Sequence, residues 1–191
     1  MTVIESCIAP SVPPGHRSTP LPVETETGSA PTADDLPGFD DMEQCCWQTF
    51  LESSTRLLET LNRGLMVAHR LTMFDFLVLD LLAKSRGGSA RMGDLAQALA
   101  VGPSRVTQQI QRLEGDGLVR RSRGADDKRV VIASITRGGL ERVKPAAYTY
   151  GRVIRRHYLD QMSRNQMIAM GDCCRRISAP LAGAEDPERR F

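Results

Sequence analysis

Between Leu99 and Ile135 the chain reads LAVGPSRVTQQIQRLEGDGLVRR, then SRGADDKR, then VVIASI, and no other stretch restricts the fold so tightly. Val106, Ile110 and Leu113 recur at spacings of four and three, which places them on one buried stripe of a short helix. Pro103 suits the first turn of that helix, where its missing N–H costs nothing, and Gly117, after Glu114 and Asp116, supplies a left-handed stop. LVRRSR and RVVIASI are rich in β-branched residues, and GADDK between them has Gly and Asp turn chemistry, so a hairpin follows the helix.

The helix turns Ser104, Gln108, Gln111 and Arg112 outward: hydroxyl, amide and guanidinium groups with no carboxylate, the types that pair with base edges and phosphates in a major groove. The hairpin carries Arg120, Arg121, Arg123, Lys128 and Arg129, and a guanidinium at a hairpin tip suits the narrow, electronegative minor groove. Asp127, two residues before Arg129, is placed to hold that side chain by a bidentate pair. Just upstream, MGDLAQALA has helical spacing through Leu95, Ala96 and Leu99, and Ala100 to Gly102 form a tight turn. Helix, turn, helix and basic hairpin together predict a winged helix-turn-helix over residues 72–137, a class that binds double-stranded DNA.

The flanking segments are helical. From Asp41 to His69, Trp47, Phe50, Leu51, Leu57, Leu58, Leu61, Leu65 and Met66 recur at threes and fours, an apolar stripe too long for a small domain to cover by itself. Thr72 can cap MFDFLVLDLLAKS, a helix apolar nearly all round and hence a core helix, whose Asp75 and Asp80 are expected to be paired or partly exposed. Thr136 can cap a helix from about Gly138 to Leu159 with Val143, Ala147, Tyr150, Ile154 and Tyr158 on one face. A last helix, from about Ser163 to Ile177, lines up Met167, Met170, Cys174 and Ile177. Residues 41–71 and 138–178 thus predict a helical dimerisation region, and the fold class is mainly α with a small β-hairpin.

Charge separates the rest. The 191 residues have a formal net charge of only +2, but residues 1–40 hold six acids and one Arg, about −5, which leaves about +7 for the remainder. Residues 1–40 are also rich in Pro, Ser, Thr and Gly without period, and are expected to be a disordered extension; residues 179–191 are expected to fray. No apolar run approaches the length of a membrane span, so a cytoplasmic protein with no membrane partner is expected. Five cysteines, including the adjacent pairs Cys45–Cys46 and Cys173–Cys174, do not make a secreted disulfide framework. His16, His69 and His157 are scattered and no CxxC or HExxH spacing occurs, so neither metal nor cofactor is expected. Without a nucleophile elbow or phosphate-cradling Gly loop, no constellation supports an enzyme.

Taken together, these residues resemble the multiple antibiotic resistance regulator (MarR) family of winged-helix transcription factors over about Asp41 to Ile177. The resemblance is most specific in DKRVVIASITRGG, where Asp127, Arg129, Thr136 and Gly139 stand at the family's D-x-R and L-T-x-x-G positions, with Ile135 for the usual Leu. It implies a homodimer in which two winged helices read a pseudopalindrome, most often a repressor of nearby genes. Arg129 would be the minor-groove arginine and Asp127 its brace; Ser104, Arg105, Thr107, Gln108 and Arg112, with Gln111, Arg123 and Lys128, would serve the grooves and phosphates. Gly102 departs from the Ser, Thr or Asp often found there, so the side-chain cap is lost at a cost of only a few tenths of a kcal/mol relative to Ser. Regulation would come from a small aromatic or anionic effector in a crevice lined by Trp47, His69, Arg70 and Asp75. Two alternatives stay open: redox sensing through Cys45, Cys46, Cys173 and Cys174, and a winged helix used only for protein contacts.

Overall fold

In the computed structural model, which describes residues 36–124 and 127–183, three helices start where Asp40, Thr72 and Thr136 supply caps. These residues divide into two units, 36–55 and 56–183. In the first, Asp40 and Glu43 form a reciprocal capping box: Asp40 Oδ1 accepts from the Glu43 N–H at 2.8 Å, and Glu43 Oε2 accepts from the Asp40 N–H at 3.0 Å. Helix α1 (Asp41–His69) starts there. Residues 36–40 are therefore built into a turn and a cap instead of belonging to the expected tail, the remainder of which, with Cys7 and His16, lies outside the described residues.

In the second unit, α1 ends at Arg70, which takes a left-handed φ of 54°. Thr72 caps α2 (Met73–Lys84), then a single 3-10 turn at Arg86–Gly88 leads to β1 (Ser89–Arg91) and α3 (Met92–Ala98). Helix α4 (Pro103–Gly115) starts at Gly102 without a side-chain cap, as expected, and stops before Gly117, whose φ of 71° is open to glycine at little cost. Strands β2 (Val119–Arg123) and β3 (Val131–Ile135) form the predicted hairpin. Thr136 caps α5 (Arg137–His157) by accepting from the Gly139 N–H, a 3-10 turn follows, and α6 (Arg164–Gly183) closes the chain.

The sheet has the order β1-β3-β2 and is antiparallel throughout. Strand β1 was not expected from sequence: three residues carry no period, and their pairing with β3 (Ser89 opposite Ser134) spans 45 residues. The Ser89 hydroxyl donates to the Ser134 hydroxyl at 2.8 Å and fixes that register. Helix α6 also runs past Ala179, where fraying was expected, through Pro180 to Gly183. Its last turns are exposed, so the carbonyl that loses its N–H partner to Pro180 can turn to water. Asp80 meets its expectation by pairing with Lys84 at 2.5 Å, one turn along α2.

The core gathers Val106, Ile110 and Leu113 of α4, Phe76, Val78, Leu79 and Leu82 of α2, Leu95 of α3, Val119 and Ala133 of the sheet, Val143 and Ala146 of α5, and Leu65 of α1. Burial of each Leu, Ile, Val or Phe contributes about 1.5–3 kcal/mol. Phe76 and Tyr150 lie with ring centroids 4.6 Å apart and tie α2 to α5. On α5 the inward small residue is Ala146, and Ala147, expected on the apolar face, is exposed. On α6, Met167 is half-buried, whereas Ile168, Met170, Ile177 and Leu181 are exposed.

Candidate nucleic-acid interface

With its apolar stripe fully buried, α4 turns Ser104, Arg105, Gln108 and Gln111 to the surface. Thr107 is half-buried and donates its hydroxyl to the Pro103 carbonyl at 2.9 Å, which leaves its methyl outermost and its oxygen still able to accept. The Arg105 guanidinium sits 4.9 Å from the centroid of the Phe74 ring, an arrangement that holds the side chain while leaving its donors open at the edge. Arg112 is placed differently from its sequence expectation. It lies on the side of α4 that faces the start of α2, and its Nη2 is ion-paired with Asp75 Oδ1.

The hairpin tip owes its shape to Asp127. The Val130 N–H donates to the Asp127 carbonyl at 3.1 Å, which closes a β-turn with Lys128 and Arg129 at its two corners. The Asp127 carboxylate accepts from the Arg129 backbone N–H at 2.8 Å. The expected bidentate pair with the Arg129 guanidinium is not what this carboxylate makes: two residues apart in a tight turn, the backbone N–H is the nearer donor. Asp127 therefore positions Arg129 through the main chain. Arg120, Arg123, Lys128 and Arg129 are exposed, and among the described residues none of the four is ion-paired.

Arg121 is the exception. Its Nε and Nη2 both lie 2.7 Å from Glu114 Oε2, and its backbone N–H donates to Oε1 at 2.9 Å, so the hairpin is latched to the end of α4. Those bonds, first the one from the backbone N–H, hold the Glu114 carboxyl below its usual range. A carboxyl with a depressed pKa gives its stabilisation above the unfolded pKa and loses it as pH falls through the folded one. Amide exchange at Arg121, corrected for intrinsic rate, is therefore expected to be slow at neutral pH and to accelerate below the ordinary carboxylate range. Glu114→Gln, which cannot ionise, is expected to remove that pH dependence; if the variant keeps it, another group controls the latch.

Of the residues expected to line an effector crevice, His69 and Arg70 line an open cleft of about 680 Å³ together with Leu118, Gly138, Glu141, Arg142 and Pro145. His69 Nε2 is 2.8 Å from Thr149 Oγ1, and its carbonyl accepts from Arg142 Nη1 at 2.9 Å. Asp75 is buried between α2 and α4 and taken up by internal partners. Trp47, in the first unit, is half-exposed with Phe50 at a centroid distance of 6.0 Å. Cys46, Cys173 and Cys174 are exposed and Cys45 half-buried, all as free thiols. No helix among the described residues is long and apolar enough to cross a membrane, and none of their His, Cys, Asp and Glu side chains cluster in a set of three or more able to hold a metal.

Sequence reasoning missed Gln109, which donates to Asp75, and the Glu114–Arg121 latch. A signal for the first existed. Gln109 lies three residues before Arg112 and borders the buried stripe, so it is half-buried and needs a partner. The latch gave none, because it depends on how β2 returns past α4.

Comparison with known proteins converges on one family. The MarR family model matches residues 71–131. Comparison with curated protein sequences returns no match. Among solved structures, AbsC, a MarR family transcriptional regulator from Streptomyces coelicolor, is 34% identical, with 78% of this chain and 99% of AbsC covered at a TM-score of 0.74. Sco3205 from the same organism, a MarR family transcriptional regulator solved in complex with DNA, is 27% identical over 80% of this chain and 97% of its own, also at 0.74. CouR from Rhodococcus jostii RHA1, solved with p-coumaroyl-CoA, shares the fold at 21% identity and a TM-score of 0.60, with coverage of 74% and 94%. A helix-turn-helix with a basic hairpin, the family model lying across it and a relative matched over nearly its whole length lead to one conclusion: the chain belongs to the MarR family of winged-helix, DNA-binding transcriptional regulators.

Proposed function

We propose that the protein is a homodimer that recognises a pseudopalindromic operator, represses nearby genes and releases its site when a small aromatic or anionic effector binds. The observation that carries the reading is the carboxylate-free outer face of α4 beside a hairpin with four exposed cations that make no ion pair among the described residues. Ser104, Arg105, Thr107, Gln108 and Gln111 would meet the major groove, and Arg123, Lys128 and Arg129 the minor groove and its phosphates. That Sco3205 was solved in complex with DNA supports DNA as the partner. Dimerisation is supported by the uncovered apolar residues of α6 and, in the first unit, by exposed Trp47, Phe50 and Leu51. The cleft beside His69, Arg70 and Arg142, whose one carboxylate, Glu141, is paired with Arg137, supports an anionic effector.

The test is selection of duplexes from a randomised pool, followed by titration of the enriched sequence at several salt concentrations and native mass measurement of the complex. Two chains with four exposed cations each would give a slope of log affinity against log salt near −7, so that affinity falls roughly four orders of magnitude between 50 and 200 mM salt. Absence of any enriched sequence, or a slope near zero, would sink the reading in favour of a winged helix used for protein contacts.

A further inference from the structure

The start of α2 and the middle of α4 are joined by one buried carboxylate. Asp75, at the third position of α2, is 1% exposed. Its Oδ2 accepts from the Thr72 N–H at 2.7 Å and from the Thr72 hydroxyl at 2.6 Å, and the same hydroxyl oxygen accepts from the Asp75 N–H at 3.0 Å. Its Oδ1 accepts from Gln109 Nε2 and from Arg112 Nη2. Arg112 Nη2 also lies 3.4 Å from Thr72 Oγ1. The neighbouring helix-start N–H, that of Met73, is taken by Asn62 Oδ1 of α1 at 2.9 Å.

A carboxylate offers about four lone-pair sites, and all four are used here, two by the helix that Asp75 belongs to and two by α4. Capping α2 needs only the first pair, and an ordinary capping carboxylate sits in water. Burial changes the requirement, because an ionised carboxylate out of water is tolerated only when fully partnered. Gln109 and Arg112 supply what α2 cannot. They stand three residues apart on neighbouring turns of one face of α4. The buried stripe of Val106, Ile110 and Leu113 sets which face of α4 turns inward, and two attachments to a single oxygen from neighbouring turns narrow its remaining rotation and travel. The directions of Ser104, Gln108 and Gln111 follow from that rotation.

We propose that Asp75 is the positioning residue of the recognition helix, and that Arg112 completes this clamp instead of contacting a DNA phosphate. The inference rests on the DNA-binding reading above. Its consequence is specific: loss of the clamp degrades discrimination between sequences and leaves the sequence-independent attraction to phosphates unchanged.

The test uses the full chain, the duplex enriched by wild-type protein, and a scrambled duplex of the same composition. Affinities are read by fluorescence anisotropy over a range of salt. Asp75→Asn preserves volume but turns an amide NH₂ toward groups that donate. Arg112→Met removes the guanidinium from a side chain that is 46% exposed. Each variant is expected to lose about tenfold or more for the enriched duplex, the scale of one good base contact, while affinity for the scrambled duplex stays within about twofold and the salt slope is unchanged. The double variant is expected to be no worse than the worse single one, since the same interaction is removed twice. A salt slope that drops by about one per chain in Arg112→Met would put this guanidinium on a phosphate and overturn the proposal. So would losses that multiply in the double variant, or discrimination equal to wild type. A residue with a purely structural role would lower both affinities together and leave their ratio alone, and that result also counts against the clamp. If Asp75→Asn does not fold, Arg112→Met and Gln109→Ala carry the same comparison. Arg129→Ala is the control for the parent reading: only failure of that reading leaves its affinity for the scrambled duplex unchanged.

Discussion

Gly139→Ala is expected to produce a larger loss of stability than alanine at any other described glycine whose Cβ surroundings are known. A Cβ at that position would lie 2.2 Å from the Leu118 carbonyl oxygen and 2.7 Å from Ile135 Cγ1. The carbonyl is not free to retreat, because it accepts the Thr136 N–H at 3.0 Å where the sheet meets α5. The Gly139 N–H is itself held by Thr136 Oγ1 at 3.1 Å. Something must shift by most of an ångström in the core, at about 3 kcal/mol or more. For a chain of this size that is a fall in melting temperature of roughly 6–12 °C, measured by circular dichroism at fixed protein concentration. Gly138→Ala is the matched control: its Cβ would meet nothing closer than Thr136 Oγ1 at 3.7 Å, so it is expected to be neutral or slightly stabilising. Equal melting temperatures for the two variants would show that the Leu118 carbonyl yields after all.

The largest functional effect is expected at the hairpin corner. On the proposed reading, Arg129→Ala lowers affinity for the enriched duplex by about 10- to 100-fold, the scale of one well-placed contact per chain. It also flattens the salt dependence by about two for a dimer, since one phosphate-neutralising cation is lost from each copy. Asp127 separates the two ways of holding that arginine. Because its carboxylate accepts the Arg129 backbone N–H, Asp127→Asn retains an acceptor and is expected to bind like wild type, while Asp127→Ala loses the turn and part of the affinity. Weakening in Asp127→Asn equal to that in Asp127→Ala would point back to a charge pair between the side chains.

Helices α1 and α4 are legible from sequence because each has a stripe with the 3.6-residue period, and α2 because it is apolar nearly all round; the starts of α2, α4 and α5 are legible because Thr72, Pro103 and Thr136 are residues whose local chemistry favours a cap or a first turn. Strand β1 is not, since Ser89, Ala90 and Arg91 are too few to show alternation and owe their conformation to a partner 45 residues on. The candidate site divides along the same line. Periodicity places Arg112 off the buried stripe of α4 and so suggested an outward, DNA-facing role. Its actual partner, Asp75, is 37 residues away on another helix, and no local rule connects them. Gln108 and Gln111 are exposed as their spacing predicts, because nothing in the chain competes for them. Spacing pairs Asp127 with Arg129 but does not choose between the main chain and the side chain of that arginine.

The strand order has a consequence for biosynthesis. The centre of the sheet is β3, the last of the three strands to be made, and β1 and β2 both precede it and do not pair with each other. As the chain leaves the ribosome, the helix-turn-helix emerges with a strand on either side of it and nothing to join them. Only when Val131 to Ile135 is released can both strands pair, and α5, capped by the very next residue, then closes over Leu118. A nascent chain stalled before Val131 would present two bare strand edges, each able to pair with a neighbouring polysome product. Completion of the sheet in the DNA-binding head is thus tied to a five-residue segment.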